Sequence, residues 1–106
     1  MDFDHALRVA NRFKPGTDLY LIGLFHDAVE DGHFTLDEIP AHFRDAIDAL
    51  TRRPREPYHT YIVRCKKNPH ACIVKIADVE ENLARMDAAH ETLRPRYENA
   101  LKVLMG

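Results

Sequence analysis

Cysteine is scarce in this sequence, and long apolar runs are absent. The two cysteines, Cys65 and Cys72, are seven residues apart and form no CxxC pair, which argues against a zinc knuckle or a redox dithiol and favours ordinary reduced thiols. No window reaches the roughly 20 uninterrupted apolar residues that a membrane helix requires, and the N-terminal segment is acidic rather than basic. We therefore expect a soluble, cytoplasmic protein with no membrane partner.

A strong charge of one sign is also missing. The 106 residues carry a formal net charge of -2, which argues against the general electrostatic footprint of a protein that binds a nucleic-acid polymer but leaves room for a local basic patch. The sequence is 45% hydrophobic and 30% charged, a balance that is typical of a globular chain rather than a disordered one. Its length fits one domain, and we expect a single domain over residues 1–106.

Apolar residues recur at helical spacing along most of the chain, and no two segments show the alternation of paired strands. A basic, proline-bearing loop is predicted at residues 51–57. The predicted class is all-α, a compact bundle of about six helices. We predict helices over residues 2–13, 17–32, 35–50 with an interruption at Pro40, 58–67, 69–86, and 88–105 with a break or kink at Pro95.

Four ionisable residues, His26, Asp27, Glu30 and Asp31, directly follow an apolar segment. On a helix that continues to Gly32, residues three and four apart share a face, so the imidazole and the three carboxylates form one cluster. Carboxylates near a helix C-terminus face the negative end of the dipole, and their mutual repulsion and desolvation are unfavourable. A divalent cation or a set of basic partners relieves both effects, and we favour the cation.

Imidazole nitrogen together with carboxylate oxygen suits Mn, Fe, Zn or Co, whereas Mg and Ca sites seldom include histidine. Two ligands from one helix do not complete a site. His5 on the first predicted helix and Asp78, which follows the apolar stretch VKIA, are the candidates for the remaining ligands.

The order His5, His26-Asp27, Asp78 resembles the H…HD…D pattern of the HD-domain metal-dependent phosphohydrolases. The stretch HDAVEDG resembles the HD-x-x-ED signature of the (p)ppGpp hydrolase domains of RelA/SpoT-type enzymes and their small stand-alone relatives. The segments HALRVA and VKIADVEENL are similar to two further blocks of that family. The resemblance extends from His5 to about Arg85 and implies an HD-domain fold.

This resemblance also implies roles for individual residues. Glu30 and Asp31 match the acidic pair that orients or deprotonates the attacking water, and Asn82 matches an asparagine that contacts the nucleotide. The metal implied is Mn²⁺, with Fe, Co and Zn as alternatives. The metal ligands implied are His5, His26, Asp27 and Asp78.

Several basic residues are candidates for contact with substrate phosphates. Lys75 and Arg85 share a helix face with Asn82 by spacing. Arg52 and Arg53 either clamp an anionic nucleotide or belong to a solvated loop. Arg85 stands where the family tends to have a small hydroxyl residue, so the nucleotide identity stays open.

The aromatic residues and the remaining histidines give weaker signals. Tyr58 and Tyr61 either pack between helices or stack on a base, and the spacing favours packing. No usable pattern involves the other histidines, for which we expect surface positions. These are His33, His42, His59, His70 and His90.

The leading functional expectation is a (p)ppGpp 3′-pyrophosphohydrolase-like enzyme that uses metal-activated water on a nucleotide substrate. The alternatives are an HD nucleotidase or nucleoside triphosphate pyrophosphohydrolase for another nucleotide, and a non-catalytic nucleotide-binding HD module. Only four residues precede His5, whereas the related hydrolases carry a helix upstream of that histidine. Without that upstream helix the first predicted helix lacks the cover that it has in the relatives, which suggests a homodimer.

Overall fold

A computed structural model describes residues 3–106 of the chain. The part described contains no strand, so the predicted all-α class is confirmed. None of its helices combines the length and the apolar character needed to span a bilayer. Two short 3₁₀ segments, Leu36–Glu38 and Ala88–Leu93, precede the third and sixth helices. The six α-helices are α1 Phe3–Ala10, α2 Asp18–Phe25, α3 Ala41–Leu50, α4 Tyr58–Lys66, α5 Pro69–Ala84 and α6 Arg94–Met105.

Helix starts follow local signals in the sequence. The Thr17 hydroxyl accepts a hydrogen bond from a backbone N–H in the first turn of α2, at 3.3 Å, and the Asn68 side chain does the same for α5, at 3.0 Å. The Glu38 carboxylate accepts from the Thr35 N–H at 2.9 Å, which is one half of a capping box. Pro95 lies in the first turn of α6, where its missing N–H breaks no helical bond, so the predicted break falls at a helix start.

The first predicted helix is longer than α1. Beyond Ala10 the backbone tightens into i→i+3 bonds, with the Arg12 N–H donating to Val9 at 3.2 Å and the Phe13 N–H to Ala10 at 3.0 Å. This tightening ends the helix just before the proline and glycine of the following turn. The predicted start at Asp2 lies outside the described residues.

The predicted extension of the second helix to Gly32 is wrong, because α2 ends at Phe25. The Gly23 carbonyl accepts a hydrogen bond from the His26 imidazole at 2.6 Å, so a side chain takes the place of the next backbone donor. The Ala28 N–H then donates to Phe25 in an i→i+3 bond of 3.0 Å. Residues 26–32 form turns rather than a continuous helix.

Helix α5 is the central element, since it contacts each of the other five α-helices. It contributes apolar residues to the common core, among them Val74 and Val79, which are fully buried. Two charged residues of the same helix, Lys75 and Asp78, are buried as well. Burial of charge at the centre of a helical bundle requires compensation by nearby groups.

The helices α1 and α2 approach each other closely at Gly23. A Cβ atom at this position would lie 3.1 Å from the Cα of Ala10, closer than side-chain carbons ordinarily come. The absence of a side chain thus permits the contact. One consequence is that the rings of His5 and His26 come within 5.4 Å, measured between centroids, in an edge-to-face arrangement.

Arg64 fixes the loop 51–57 to the body of the bundle. Its guanidinium donates to both carboxylate oxygens of Glu56, at 3.0 and 2.9 Å. It also donates to the carbonyls of Asp48 and Thr51, at 3.1 and 2.9 Å, which lie at the C-terminal end of α3 where helical donors run out. The loop that carries Arg52 is therefore held by a bidentate ion pair and by backbone contacts.

We predict that Glu56→Gln destabilises the fold in a pH-dependent way. Hydrogen bonds from Arg64 lower the pKa of Glu56 from 4.5 to about 2. A carboxylate with a lowered pKa stabilises the folded state above pH ~4.5, and this contribution is lost as the pH falls toward ~2. Urea unfolding should give a loss of about 2 kcal/mol at pH 7, with the difference from wild type shrinking from pH 5 to pH 3.

The control for this experiment is Glu98→Gln, which changes an exposed carboxylate on α6. This variant should stay within about 0.5 kcal/mol of wild type at every pH. A deficit in Glu56→Gln that is the same at pH 7 and pH 3 would contradict an ionised Glu56 as the partner of Arg64.

Candidate metal centre

A hydrogen bond to the backbone fixes the orientation of the His26 ring. Its Nδ1 lies 2.6 Å from the Gly23 carbonyl oxygen, and since a carbonyl only accepts, Nδ1 carries the proton and donates. In the neutral ring the lone pair is therefore on Nε2. That atom is buried and faces two carboxylates, with the Asp27 Oδ2 3.1 Å away and the Asp78 Oδ1 3.4 Å away. An imidazole that donates one N–H to a backbone carbonyl and turns its other nitrogen toward carboxylates has the arrangement of a metal-ligating histidine.

The charge around His26 calls for a cation. Burial acts to lower the pKa of His26, but hydrogen bonding and Coulombic attraction to Asp27 and Asp78 outweigh burial and raise this pKa to about 10. The protein alone therefore holds a proton on a nearly inaccessible imidazole. A divalent cation bound by the His26 Nε2 would neutralise the negative charge of the same carboxylates. The metal ion and the proton therefore compete for Nε2.

His5 joins the cluster from α1. Its Nε2 lies 2.6 Å from Oδ1 of Asp78, and its side chain is 12% exposed. His5, His26 and Asp27 each offer a donor atom within 4.8 Å of the other two. The first helix and the turn after α2 thus supply three of the four predicted ligands to one point.

Asp78 is the fourth predicted ligand and comes from the central helix. Its Oδ1 lies 3.4 Å from the Nε2 of His26, and its Oδ2 accepts from Lys75 at 2.8 Å. Burial acts to raise the pKa of Asp78, but Lys75 and the two histidines outweigh it and hold this pKa well below its usual range. Asp78 therefore stays ionised inside the bundle, as a metal ligand must.

The four predicted ligands consequently meet, and their chemistry fits a transition-metal dication. Two imidazole nitrogens and two carboxylate oxygens suit Mn, Fe, Co or Zn. The observation that supports the fit is the orientation of His26, whose Nδ1 is bound to the Gly23 carbonyl while its buried Nε2 faces the carboxylates of Asp27 and Asp78. The donor atoms come from three segments, namely α1, the turn after α2, and α5.

A cleft of about 490 Å³ opens beside this cluster. Among the predicted substrate residues, Asn82, Arg85, Arg52 and Lys75 line the cleft. Lys75 is buried, and Asp78 outweighs the effect of burial and raises the Lys75 pKa well above its usual value. Its first partner is therefore Asp78, a predicted metal ligand, and its contact with substrate stays a prediction.

Arg53 lies away from the cleft. Its side chain is 52% exposed, and its guanidinium lies 3.4 Å from the carboxylate of Asp48 on α3. Of the two neighbouring arginines that the sequence offered as a phosphate clamp, the fold brings only Arg52 to the cleft wall. The two arginines lie in a segment without regular secondary structure, and their guanidiniums have different partners, the Glu56 carbonyl for Arg52 and the Asp48 carboxylate for Arg53.

The two acidic residues of the HDAVEDG motif, Glu30 and Asp31, also differ in position. Glu30 lines the cleft with Asp27; partial burial raises the pKa of Glu30, and the Asp27 charge adds to this effect. The backbone N–H of Arg52 hydrogen-bonds to Glu30 and acts in the opposite direction. Both side chains are exposed, but Asp31 does not line the cleft. Of the predicted acidic pair, the fold therefore brings only Glu30 to the cleft wall.

Sequence reasoning missed two charged residues of the cleft. Arg8 lies three residues after His5, and Glu81 three residues after Asp78, so both share a helix face with a predicted ligand. The Arg8 Nε lies 3.7 Å from the Glu81 carboxylate. Their spacing of three residues from a predicted ligand was the signal in the sequence that could have identified them.

A second group of missed residues comes from the end of the chain. Tyr97, His90, Met86 and Leu93 complete one wall of the cleft. They belong to α6 or to the segment that leads into it, and their placement depends on how α6 packs against α4 and α5. No local pattern in the sequence carries this information.

Comparison with known proteins assigns no family to the chain. No protein-family model matches it, and no curated protein sequence matches it. The chemistry of the site therefore has to be inferred from the geometry and from the sequence motifs.

We predict that the cluster binds Mn²⁺ and that His5→Ala weakens this binding by about 100-fold or more, since even changes behind a metal ligand cost 10- to 100-fold. The measurement is a calorimetric titration of chelator-stripped protein, with circular dichroism to verify the helical fold. His59→Ala, an exposed histidine on α4, is the matched control and should bind like wild type. Equal affinity in the two variants would contradict the site.

Proposed function

We propose that this protein is an HD-type metal-dependent phosphohydrolase that acts on a nucleotide, with (p)ppGpp as the leading substrate and its 3′-pyrophosphate as the group removed. The observation that carries the proposal is the convergence of His5, His26, Asp27 and Asp78 beside an open cleft. The motifs HDAVEDG and VKIADVEENL support the assignment to the HD class and to its alarmone-hydrolysing branch.

The four ligand residues would hold one divalent cation, most suitably Mn²⁺. When bound, such a cation supplies Lewis acidity toward a phosphoryl oxygen and lowers the pKa of water from ~16 toward ~7. The protein contributes the orientation of the ligands through the Gly23 carbonyl behind His26 and through Lys75 behind Asp78.

Glu30 is the group that we assign as general base. A raised pKa brings a carboxylate closer to neutrality and makes it a better proton acceptor at physiological pH. Glu30 accepts a proton from the attacking water, whose oxygen bonds to the phosphorus while the bond from phosphorus to the 3′ oxygen breaks. The second proton needed to neutralise the leaving alkoxide comes from solvent in the open cleft.

The cleft walls support an anionic substrate with a larger organic part. Arg8, Arg52 and Arg85 provide positive charge, which favours phosphate oxygens. Apolar and aromatic surface from Met86 and Tyr97 lies on the wall contributed by the end of the chain, where a nucleoside can be desolvated. Asn82 supplies both a donor and an acceptor next to the metal ligands.

The alternative enzymatic proposal is an HD nucleotidase or a nucleoside triphosphate pyrophosphohydrolase. It uses the same cluster and the same base, so only the substrate differs. Arg85 favours this alternative, because a long cation in the cleft replaces the small hydroxyl residue expected beside the alarmone. A non-catalytic nucleotide-binding module is less well supported, because Glu30 is retained within the cleft.

We predict that Glu30→Gln keeps Mn²⁺ affinity and loses turnover by about 10²- to 10⁴-fold, the range expected for a general base. Asp78→Ala should lose both metal and turnover. The measurement is release of phosphate and pyrophosphate from a nucleotide panel that includes ppGpp, with stripped and Mn²⁺-reloaded protein in parallel.

Three results would redirect the proposal. Equal loss of metal in Glu30→Gln and Asp78→Ala would contradict the role of Glu30 as base. Turnover of other nucleotides but not of ppGpp would select the alternative substrate class. Absence of turnover across the panel, with Mn²⁺ demonstrably bound, would favour the binding module.

A further inference from the structure

A second concavity, of about 140 Å³, lies between α2 and α3. Among residues 3–106, none lines both this concavity and the cleft. Apart from Glu38, the side chains of its wall are apolar, and the large ones include Leu21, Phe25, Phe34, Phe43 and Ile47. This concavity, the α2–α3 groove, has no part in the proposed reaction.

The size and lining of the α2–α3 groove suit one apolar side chain. A cavity of about 150 Å³ lined by Leu, Ile and Phe stays dry and can bind benzene. The ring of Phe34 packs edge-on against that of Phe25, with 6.0 Å between centroids, and 39% of Phe34 stays exposed. A group of phenyl or isobutyl size therefore fits the groove and removes apolar surface from water.

The rim of the groove carries negative charge. Glu38 lines the groove, and Asp37, which precedes it, is exposed. Asp18 lies three residues before Leu21 on α2, so the two side chains share a helix face, and Asp18 is 56% exposed. Three carboxylates thus border an apolar concavity.

Nearby cations do not cancel this charge. The guanidinium of Arg44 donates to three backbone carbonyls in the segment 36–39, at 3.0 to 3.2 Å, so it is directed toward the backbone. His42 lies 4.0 Å from Asp18. With histidine counted as neutral, the groove is bordered by three carboxylates and one guanidinium. A group that approaches this rim is favoured when it carries positive charge.

We propose that the α2–α3 groove binds a segment of a partner protein in which one side chain of phenylalanine or leucine size is flanked by lysine or arginine. The apolar side chain fills the groove, and the flanking cations face Asp18, Asp37 and Glu38. This interaction goes beyond the proposed function and does not depend on it.

The exposed aromatic side chain of α1 fits this groove less well. Phe3 has a suitable size and is 64% exposed. It is followed directly by Asp4, whose carboxylate would meet the negative rim, and like charges at an interface are unfavourable. Charge complementarity therefore favours a basic partner over a second copy that docks through Phe3.

The experiment measures the binding of three short fluorescent peptides to the full chain by fluorescence anisotropy. The first peptide has one central phenylalanine among lysine and alanine residues. The second has alanine in place of the phenylalanine, and the third has glutamate in place of every lysine. The first peptide should bind. The other two should bind at least about 10-fold more weakly, because burial of a phenyl group accounts for about 10- to 100-fold in affinity and the glutamates face a rim of the same sign.

Three variants locate the binding on the protein, with circular dichroism to verify their helical content. Phe34→Ala removes part of the groove wall and should weaken binding of the first peptide by about 10-fold. Asp37→Lys reverses one rim charge and should weaken it by about three- to tenfold. Glu98→Lys makes the same charge change on α6 and should stay within about twofold of wild type.

The contrary outcomes are equally specific. Wild-type protein that binds none of the peptides, or Phe34→Ala that binds the first peptide as wild type does, would overturn the groove as the docking site. Equal loss in Asp37→Lys and Glu98→Lys would show attraction to net charge alone and would overturn the role of the rim. Self-association of wild type by light scattering that Phe34→Ala abolishes would identify a second copy as the occupant and would overturn the basic partner.

Discussion

Asp78 carries a negative charge into the centre of the bundle, and three segments of the chain compensate it. His5 from α1 and Lys75 from α5 contact its two oxygens at 2.6 and 2.8 Å, and His26 approaches from the end of α2 at 3.4 Å. An uncompensated buried carboxylate costs several kcal/mol. The helices α1, α2 and α5 must therefore keep the relative positions that let these groups compensate the charge of Asp78.

This coupling involves backbone features that serve both the packing of the helices and the cluster. Gly23 lets α1 approach α2, and its carbonyl also orients His26, so a single position determines both where the helices meet and which imidazole nitrogen faces the cluster. The termination of α2 at Phe25 frees the following turn to place Asp27 beside the cluster and Glu30 in the cleft. Stability and the candidate site thus depend on the same few contacts.

The sequence predicts the helical class and the meeting of the four ligand residues because both depend on local spacing and on motifs. It does not predict the end of α2. The His26 ring binds the Gly23 carbonyl there, and hydrophobic periodicity does not reveal such a side-chain contact. The prediction for Glu30 and Asp31 rests on the resemblance of the motif, which does not tell that only Glu30 lines the cleft. Tyr97 was missed for another reason: it reaches the cleft through the packing of α6, which is a tertiary property.

The cleft is assembled from groups that are already fixed before any ligand arrives. Arg64 and Glu56 hold the loop of Arg52, two guanidiniums and two aromatic rings hold Tyr58, and the Gly23 carbonyl holds His26. Donors that are ordered on folding lose little further conformational entropy on binding, so more of the interaction energy appears as affinity.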